Sequence, residues 1–398
     1  MTKLFNSKAA SAIDECLRAP IEGGIIHGLS AAIVSDTEVH YENAFGTRAS
    51  DGTTTMTTDT VMAIMSMTKA LTGAAAMQLV EQGKLALDGP AANVCPELGA
   101  LQVLEGFSED GAARLRPARS AITLRQLLTH TSGLAYPTWN AALLRYATEH
   151  KIPDISTLQK ASLQLPLMFD PGTDWEYGIG IDWVGQMVEA ASGLTLGAYF
   201  AEYLTGPLAM SSTGFSATPD MLQRMAPIHK RTKNGALKPL APNVPASPEF
   251  EMGGGGLLST VQDYGRFVRM ILGNGALEGV RVLSEASVEM MAQNQMGNLR
   301  VKPLPTAIPI LSNDAEFFPG EPKSWGLTFQ ISETDCDTGR KAGTLMWAGL
   351  ANSYYWIDRT SNLAGIYLTQ IFPFVDEHAL AHYYEFESAA YTHRDHRP

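Results

Sequence analysis

Runs with the β-branched and aromatic content of strands are concentrated toward the two ends of this chain, and that distribution restricts the fold more than any other feature. Near the start, Gly28 to Val34 and Glu38 to Phe45 are joined by the turn residues Ser35-Asp36-Thr37 and are expected to form a hairpin. Near the end, Trp325 to Ile331, Gly343 to Leu350, Ser353 to Asp358 and Leu363 to Gln370 are separated by short turns, and a last helix is expected from about Glu377 to Thr392. Between about Asp88 and Ala226 the signals are helical. Thr123 and Gln126 have the spacing of a capping box, Ile181 to Ala191 stops at Gly193, and Leu196 to Leu204 stops at Gly206-Pro207. The expected fold class is therefore α/β of the α+β type: one antiparallel sheet assembled from both termini and flanked by helices, with a mostly helical insert. Residues 1–87 and 233–398 are assigned to the sheet domain and 88–232 to the helical domain, with any functional site expected between them.

The chain is long enough to bury such a core: 398 residues, 45% of them hydrophobic. A formal net charge of -12, with no Lys/Arg run, argues against nucleic acid as a partner. In the first twenty residues Phe5, Ala9, Ile13 and Leu17 recur at helical spacing among charges, which predicts a folded amphipathic helix and not a signal peptide. Nowhere do the roughly 18 consecutive apolar residues of a membrane span occur. Cys16, Cys95 and Cys336 include no Cys-x-x-Cys pair and suit a reducing compartment, so a soluble cytoplasmic protein is expected. Two proline- and glycine-rich stretches, Lys233 to Gly256 and Gly297 to Lys323, are expected as long loops around helices at about Thr260 to Leu272 and Ser284 to Gln293.

The stretch with chemistry in it is VMAIMSMTKALTGAAAMQLV, Val61 to Val80. A serine hydroxyl needs a base within hydrogen-bond reach, and Ser66 and Lys69 stand three apart on one helical face. This is the one Ser-x-x-Lys in the chain. It lies where a strand-like run, Thr60 to Met65, turns into an apolar helix. Burial and the positive helix end both favour a neutral lysine amine, which can accept a proton. Taken alone, such a motif is more often a helix cap, here Ser66, followed by a snorkelling surface lysine, here Lys69, and it is the further ordered matches that reverse this.

The chain resembles the serine β-lactamase and penicillin-recognising superfamily, and within it the class C β-lactamase-like carboxylesterases, the family VIII esterases. The likeness rests on the SMTK segment, LLTHTSGL at Leu127 to Leu134, DWEYGIGIDWVGQMVEAASG at Asp174 to Gly193, GGGGLLSTVQDYGRF at Gly253 to Phe267, and Leu345 to Leu350. It implies Ser66 as the acyl-forming nucleophile, Lys69 as its proton acceptor and Tyr177 as a second proton carrier, the choice of base being open between Lys69 and Tyr177. It also implies that Trp347-Ala348-Gly349 stands for the third motif and that the Leu350 N–H joins that of Ser66 in an oxyanion hole. Where β-lactamases keep an asparagine and a lysine, this chain has Ile179 and Trp347. A neutral ester is therefore favoured over a carboxylate-bearing β-lactam.

The resemblance thus implies a serine carboxylesterase acting on short-chain neutral esters, with a small-molecule ester as partner and no metal or organic cofactor. Acyl transfer, or amide or weak β-lactam hydrolysis, is the alternative on the same fold, and a non-catalytic penicillin-binding-like sensor is the rival of another class. No Gly-x-Ser-x-Gly nucleophile elbow occurs. Gly253 to Gly256 lacks the Gly-Lys-Ser/Thr of a phosphate loop and is expected as a tight turn. His378 and His382 lack the HExxH glutamate and are expected on a solvated helix face. His130 is expected to order its loop.

Overall fold

The computed structural model describes residues 4–48, 52–241 and 248–394; residues 242–247 of the expected Lys233 to Gly256 connection and the first three of the N-terminal segment lie outside the described residues. Seven strands form one antiparallel sheet in the order Lys323–Trp325, Gln330–Ser332, Leu345–Gly349, Ser353–Asp358, Leu363–Leu368, Gly28–Val34, Val39–Gly46. The two ends of the chain meet where Ser30 pairs with Leu368 and Val34 with Ala364. Every residue of Gly28–Val34 is buried, as befits an apolar run inside the sheet, whereas Val39–Gly46 at the edge mixes exposed and buried positions.

Helices cover both faces. On one, Trp356 packs against Tyr383, Phe386 and Tyr391 of the last helix, Glu377–Thr392, which in turn packs on the first, Ser7–Glu22. Asn6 caps that first helix by accepting from the Ala9 N–H at 3.0 Å, and Phe5, Ala9, Ile13 and Leu17 are buried as their spacing requires. On the other face Tyr264 of the helix Val261–Leu272 meets Tyr355 with ring centroids 5.2 Å apart. Neighbours along a strand point to opposite faces, so Trp347 shares the Tyr355 side while Met346 and Trp356 face the terminal helices. Each aromatic side chain buried in this way stabilises the fold by about 1.5–3 kcal/mol.

The structure departs from the sequence expectations in four places. Trp325 to Ile331 is not one strand but a hairpin, Trp325 opposite Gln330, because the chain turns at Gly326–Phe329 to bring Thr328 onto the Ser66 helix. A Cβ at Gly73 of that helix would lie 2.0 Å from Thr328 Cγ2, so the contact requires glycine. The stretch expected to be mostly helical holds a hairpin, Gln102–Phe107 with Ala113–Pro117, with a bulge at Gly106 and a turn through Gly111, both glycines at positive φ. Its exposed Glu105 and Arg114 interrupt the apolar alternation that would have marked it. The strand-like Thr60 to Met65 yields only Met62–Ala63, paired with Leu258–Ser259. Finally, His382 is buried, 4% exposed, and not on a solvated face; its imidazole lies between the Tyr367 hydroxyl and the Cys16 carbonyl.

Candidate active site

Ser66 stands in a single 3-10 turn, Met65–Met67, that leads into the α-helix Thr68–Glu81. That helix is buried on nearly every side, which its run of small residues permits. Met65, immediately before the serine, adopts φ +47°, a left-handed conformation that a side chain disfavours and that surrounding contacts must hold. Three such contacts come from the glycine-rich turn: the Ile64 N–H donates to the Leu257 carbonyl at 3.0 Å, the Leu257 N–H to Thr68 Oγ1 at 3.1 Å, and Lys69 to the Gly254 carbonyl at 2.6 Å. The expected tight turn at Gly253 to Gly256 is present, and it braces the Ser66 segment.

Lys69 is 1% exposed, and its Nζ lies 3.1 Å from Ser66 Oγ. It also donates to Tyr136 Oη at 3.0 Å, and the Tyr136 hydroxyl in turn donates to Asp182 Oδ2 at 3.2 Å. Asp182, at the start of the helix Gly180–Ser192, is fully buried and accepts the Gly254 N–H on Oδ1 at 2.8 Å. Burial pulls the Lys69 amine down to about 7, against the Asp182 carboxylate, which favours its charged form. Burial pushes the Asp182 carboxyl upward, opposed by Lys69 and by its two donors.

Tyr177 comes from the segment leading into that same helix. Its hydroxyl accepts the Trp347 indole N–H at 3.0 Å, and Ser66 lies close enough to pull against the rise in its pKa. Burial raises its pKa far above the usual phenol value, so the side chain is a neutral phenol at pH 7. Gly178 fixes this segment: a Cβ there would lie 2.2 Å from the Leu134 carbonyl. Trp347, Ala348 and Gly349 end the strand Leu345–Gly349, with Leu350 next and half-buried, like Ser66 itself. A Cβ at Gly349 would be 2.4 Å from the Ile64 carbonyl, so this glycine lets the strand end lie against the serine segment.

Ser66, Lys69, Tyr177 and the strand from Trp347 to Leu350 therefore meet at one place. Ile179 is buried beside them and offers no amide. His130 accepts the Gly178 N–H on Nδ1 at 3.4 Å and packs on the Tyr177 ring, a loop-ordering position in which burial keeps it neutral. Tyr136 and Asp182 escaped sequence reasoning, although both lie beside or within the quoted segments. The available signal for Asp182 was a lone carboxylate among Gly180, Ile181, Trp183 and Val184 on an apolar helix face. Among the described residues one cluster, Cys16, His382 and Glu385, has ligand atoms within 4.8 Å of one another. The Cys16 carbonyl can only accept, so His382 Nε2 carries the proton, and Nδ1 is taken by the Tyr367 hydroxyl. No imidazole lone pair is left for a metal.

A helix-borne serine with a lysine one turn on, a tyrosine from a second helical segment and a closing sheet strand define the penicillin-recognising class of serine proteins. The chain belongs to the β-lactamase family, whose model matches residues 13–390. It is similar to lovastatin esterase of Penicillium rubens, 30% identical over 89% of this chain and 91% of that protein. It is also similar to monacolin J acid methylbutanoyltransferase of Aspergillus terreus, 31% identical over 80% of this chain and 78% of that one. Among solved structures, unliganded simvastatin synthase from Aspergillus terreus superposes with a TM-score of 0.84 at 28% identity, covering 97% of this chain and 99% of that one.

Proposed function

We propose that this protein is a serine carboxylesterase that cleaves short-chain neutral esters through an acyl-enzyme on Ser66. The observation that carries the reading is the hydrogen-bond account at Lys69. A neutral amine has two N–H groups and one lone pair. The Gly254 carbonyl can only accept, and Tyr136, whose own proton is donated to Asp182, also accepts; both N–H groups are thereby used. The lone pair is left for the Ser66 hydroxyl at 3.1 Å. Lys69, drawn down to about 7, is thus the base, and the un-ionised Tyr177 is the acid that protonates the leaving alcohol. The indole N–H of Trp347 occupies a lone pair of the Tyr177 oxygen and leaves the phenol proton to face Ser66 and the leaving oxygen.

The N–H groups of Ser66 and Leu350 serve as the oxyanion hole in this reading, supported by the fit of Gly349 against Ile64. With Trp347 and Ile179 in place of a cation and an amide, nothing at these positions selects a substrate carboxylate, which supports a neutral ester over a β-lactam. A cytoplasmic location belongs to the same reading and fits three free cysteines. No helix among the described residues is long and apolar enough to cross a membrane.

Acyl transfer to an alcohol is the second reading, favoured by the methylbutanoyltransferase relative. Mass spectrometry after brief exposure to a fluorophosphonate is expected to place one adduct on Ser66, with Ser66→Ala inert toward p-nitrophenyl acetate. An adduct elsewhere, or full activity in Ser66→Ala, refutes the assignment. Product analysis with an added alcohol separates hydrolysis from transfer.

A further inference from the structure

The four-glycine turn contains one glycine whose missing side chain the packing does not explain. A Cβ at Gly254 would lie 2.4 Å from the Asp182 carboxylate, and one at Gly253 would press on the Ile181 carbonyl and on Thr72. At Gly256 it would meet the Phe215 ring at 2.9 Å and the Met252 carbonyl at 3.1 Å. At Gly255 it would meet only the methyl end of Met252, at 2.9 Å, and no backbone atom closer than 3.9 Å; nor is Gly255 at positive φ. Flexible thioether ends move readily, so an alanine would fit.

The position of Gly255 is fixed from both sides. Gly254 holds Lys69, while Leu257 holds Ile64 and Thr68, and between them a Cβ on Gly255 would come 3.9 Å from the carbonyl carbon of Met65, the residue bonded to Ser66. Gly255 is half-buried, as are Met65 and Met252 beside it and Phe215 at the next glycine. A tetrahedral carbon on Ser66 has three other substituents. In the reading given above, on which this inference rests, the oxyanion faces the strand end at Leu350 and the leaving oxygen faces Tyr177. The remaining substituent is the acyl chain.

We propose that the space left by the absent side chain at Gly255, closed by the mobile thioether of Met252, is the acyl-chain subsite, and that these two residues set the acyl length and branching accepted. Met252 is unbranched, with three rotatable bonds, and can fold away from a longer chain. Each buried methylene of the substrate then gains about fourfold in kcat/KM until the space is filled.

The test is a p-nitrophenyl ester series from acetate to octanoate, with a branched pivalate, on wild type, Gly255→Ala, Gly255→Val and Met252→Ala, each titrated for active sites with fluorophosphonate. Gly255→Val is expected to lower the octanoate-to-acetate ratio of kcat/KM by about tenfold or more, and Gly255→Ala to lower it less. Met252→Ala is expected to raise the pivalate-to-acetate ratio. A parallel fall across all acyl lengths in both glycine variants, or unchanged ratios in all three, overturns the proposal. So does a preference that changes only when the alcohol of a set of acetates is varied. If wild type cleaves none of the esters or is not labelled on Ser66, the esterase reading itself fails; a labelled, active wild type with unchanged ratios removes only the subsite.

Discussion

Replacing Asp182 by asparagine separates the electrostatic and the steering parts of the proposed mechanism. Two hydrogen bonds in series, 3.0 Å from Lys69 to Tyr136 and 3.2 Å from Tyr136 to Asp182, put the carboxylate within about 6 Å of the amine. At an effective dielectric of about 20, unit charges that far apart interact by about 3 kcal/mol, or roughly two pKa units. The carboxylate favours charged Lys69, so its loss lowers the Lys69 pKa further, from about 7 toward about 5. Activity requires the neutral amine. The acid limb of kcat/KM, which reports the free enzyme, is therefore expected to move about two units toward lower pH. The plateau should fall as well. The Gly254 N–H needs an acceptor, so the new amide turns its oxygen there and its NH2 toward Tyr136. Tyr136 then accepts from the amide, and its own proton is freed to bind the Lys69 lone pair in competition with Ser66. A loss of about ten- to a hundredfold at the plateau follows. The assay is the pH profile of p-nitrophenyl acetate hydrolysis from pH 4 to 9, with thermal denaturation as the check on folding. A limb that stays near 7 or moves upward in a folded Asp182→Asn protein refutes the electrostatic argument, and an undiminished plateau refutes the steering argument.

Gly349→Ala introduces a Cβ 2.4 Å from the Ile64 carbonyl and must push the strand end away from the serine segment. Displacing an oxyanion donor costs about 10²–10³ in kcat, so a loss of that order with little change in Tm is expected from steady-state kinetics and melting; retained kcat would remove Leu350 from the mechanism. Glu387→Gln breaks an ion pair with Arg340 in which both side chains are wholly buried. It is expected to destabilise by about 3–5 kcal/mol in urea unfolding. Arg340 contacts Met346, on the sheet face opposite Trp347, so activity per folded molecule should persist.

What the sequence disclosed depended on whether the signal was local. The capping box at Thr123 and Gln126, the Gly193 stop and the amphipathic first helix are determined by neighbours in the chain and formed as read, while the Asn6 cap of that helix was seen only in the fold. The pairing of both termini followed from where strands were absent. The hairpin at Lys323 to Ser332 was read as one strand because its turn exists to seat Thr328 on Gly73, a contact between residues more than 250 apart. Ser66, Lys69, Tyr177 and Trp347 were singled out through motif spacing and resemblance, and the fold brings them together. Asp182 and Tyr136 were missed because they act on Lys69 through hydrogen bonds that only the folded chain creates.

The same dependence bears on hydrolysis against transfer. Relatives named as an esterase and as a methylbutanoyltransferase stand at 30% and 31% identity to this chain, so overall likeness does not distinguish the two outcomes. In the proposed mechanism Lys69 and Tyr177 treat an attacking water and an attacking alcohol alike, since each presents one O–H to be deprotonated. The outcome then depends on which of the two reaches the acyl-enzyme. Water is always in excess; an alcohol competes only where apolar walls hold it near the acyl carbon long enough to offset its dilution. The half-buried Met65, Phe215, Met252 and Leu350 are such apolar surfaces near Ser66. Partition between water and alcohol is thus a property of the walls around the serine, while the proton-moving groups are common to both reactions.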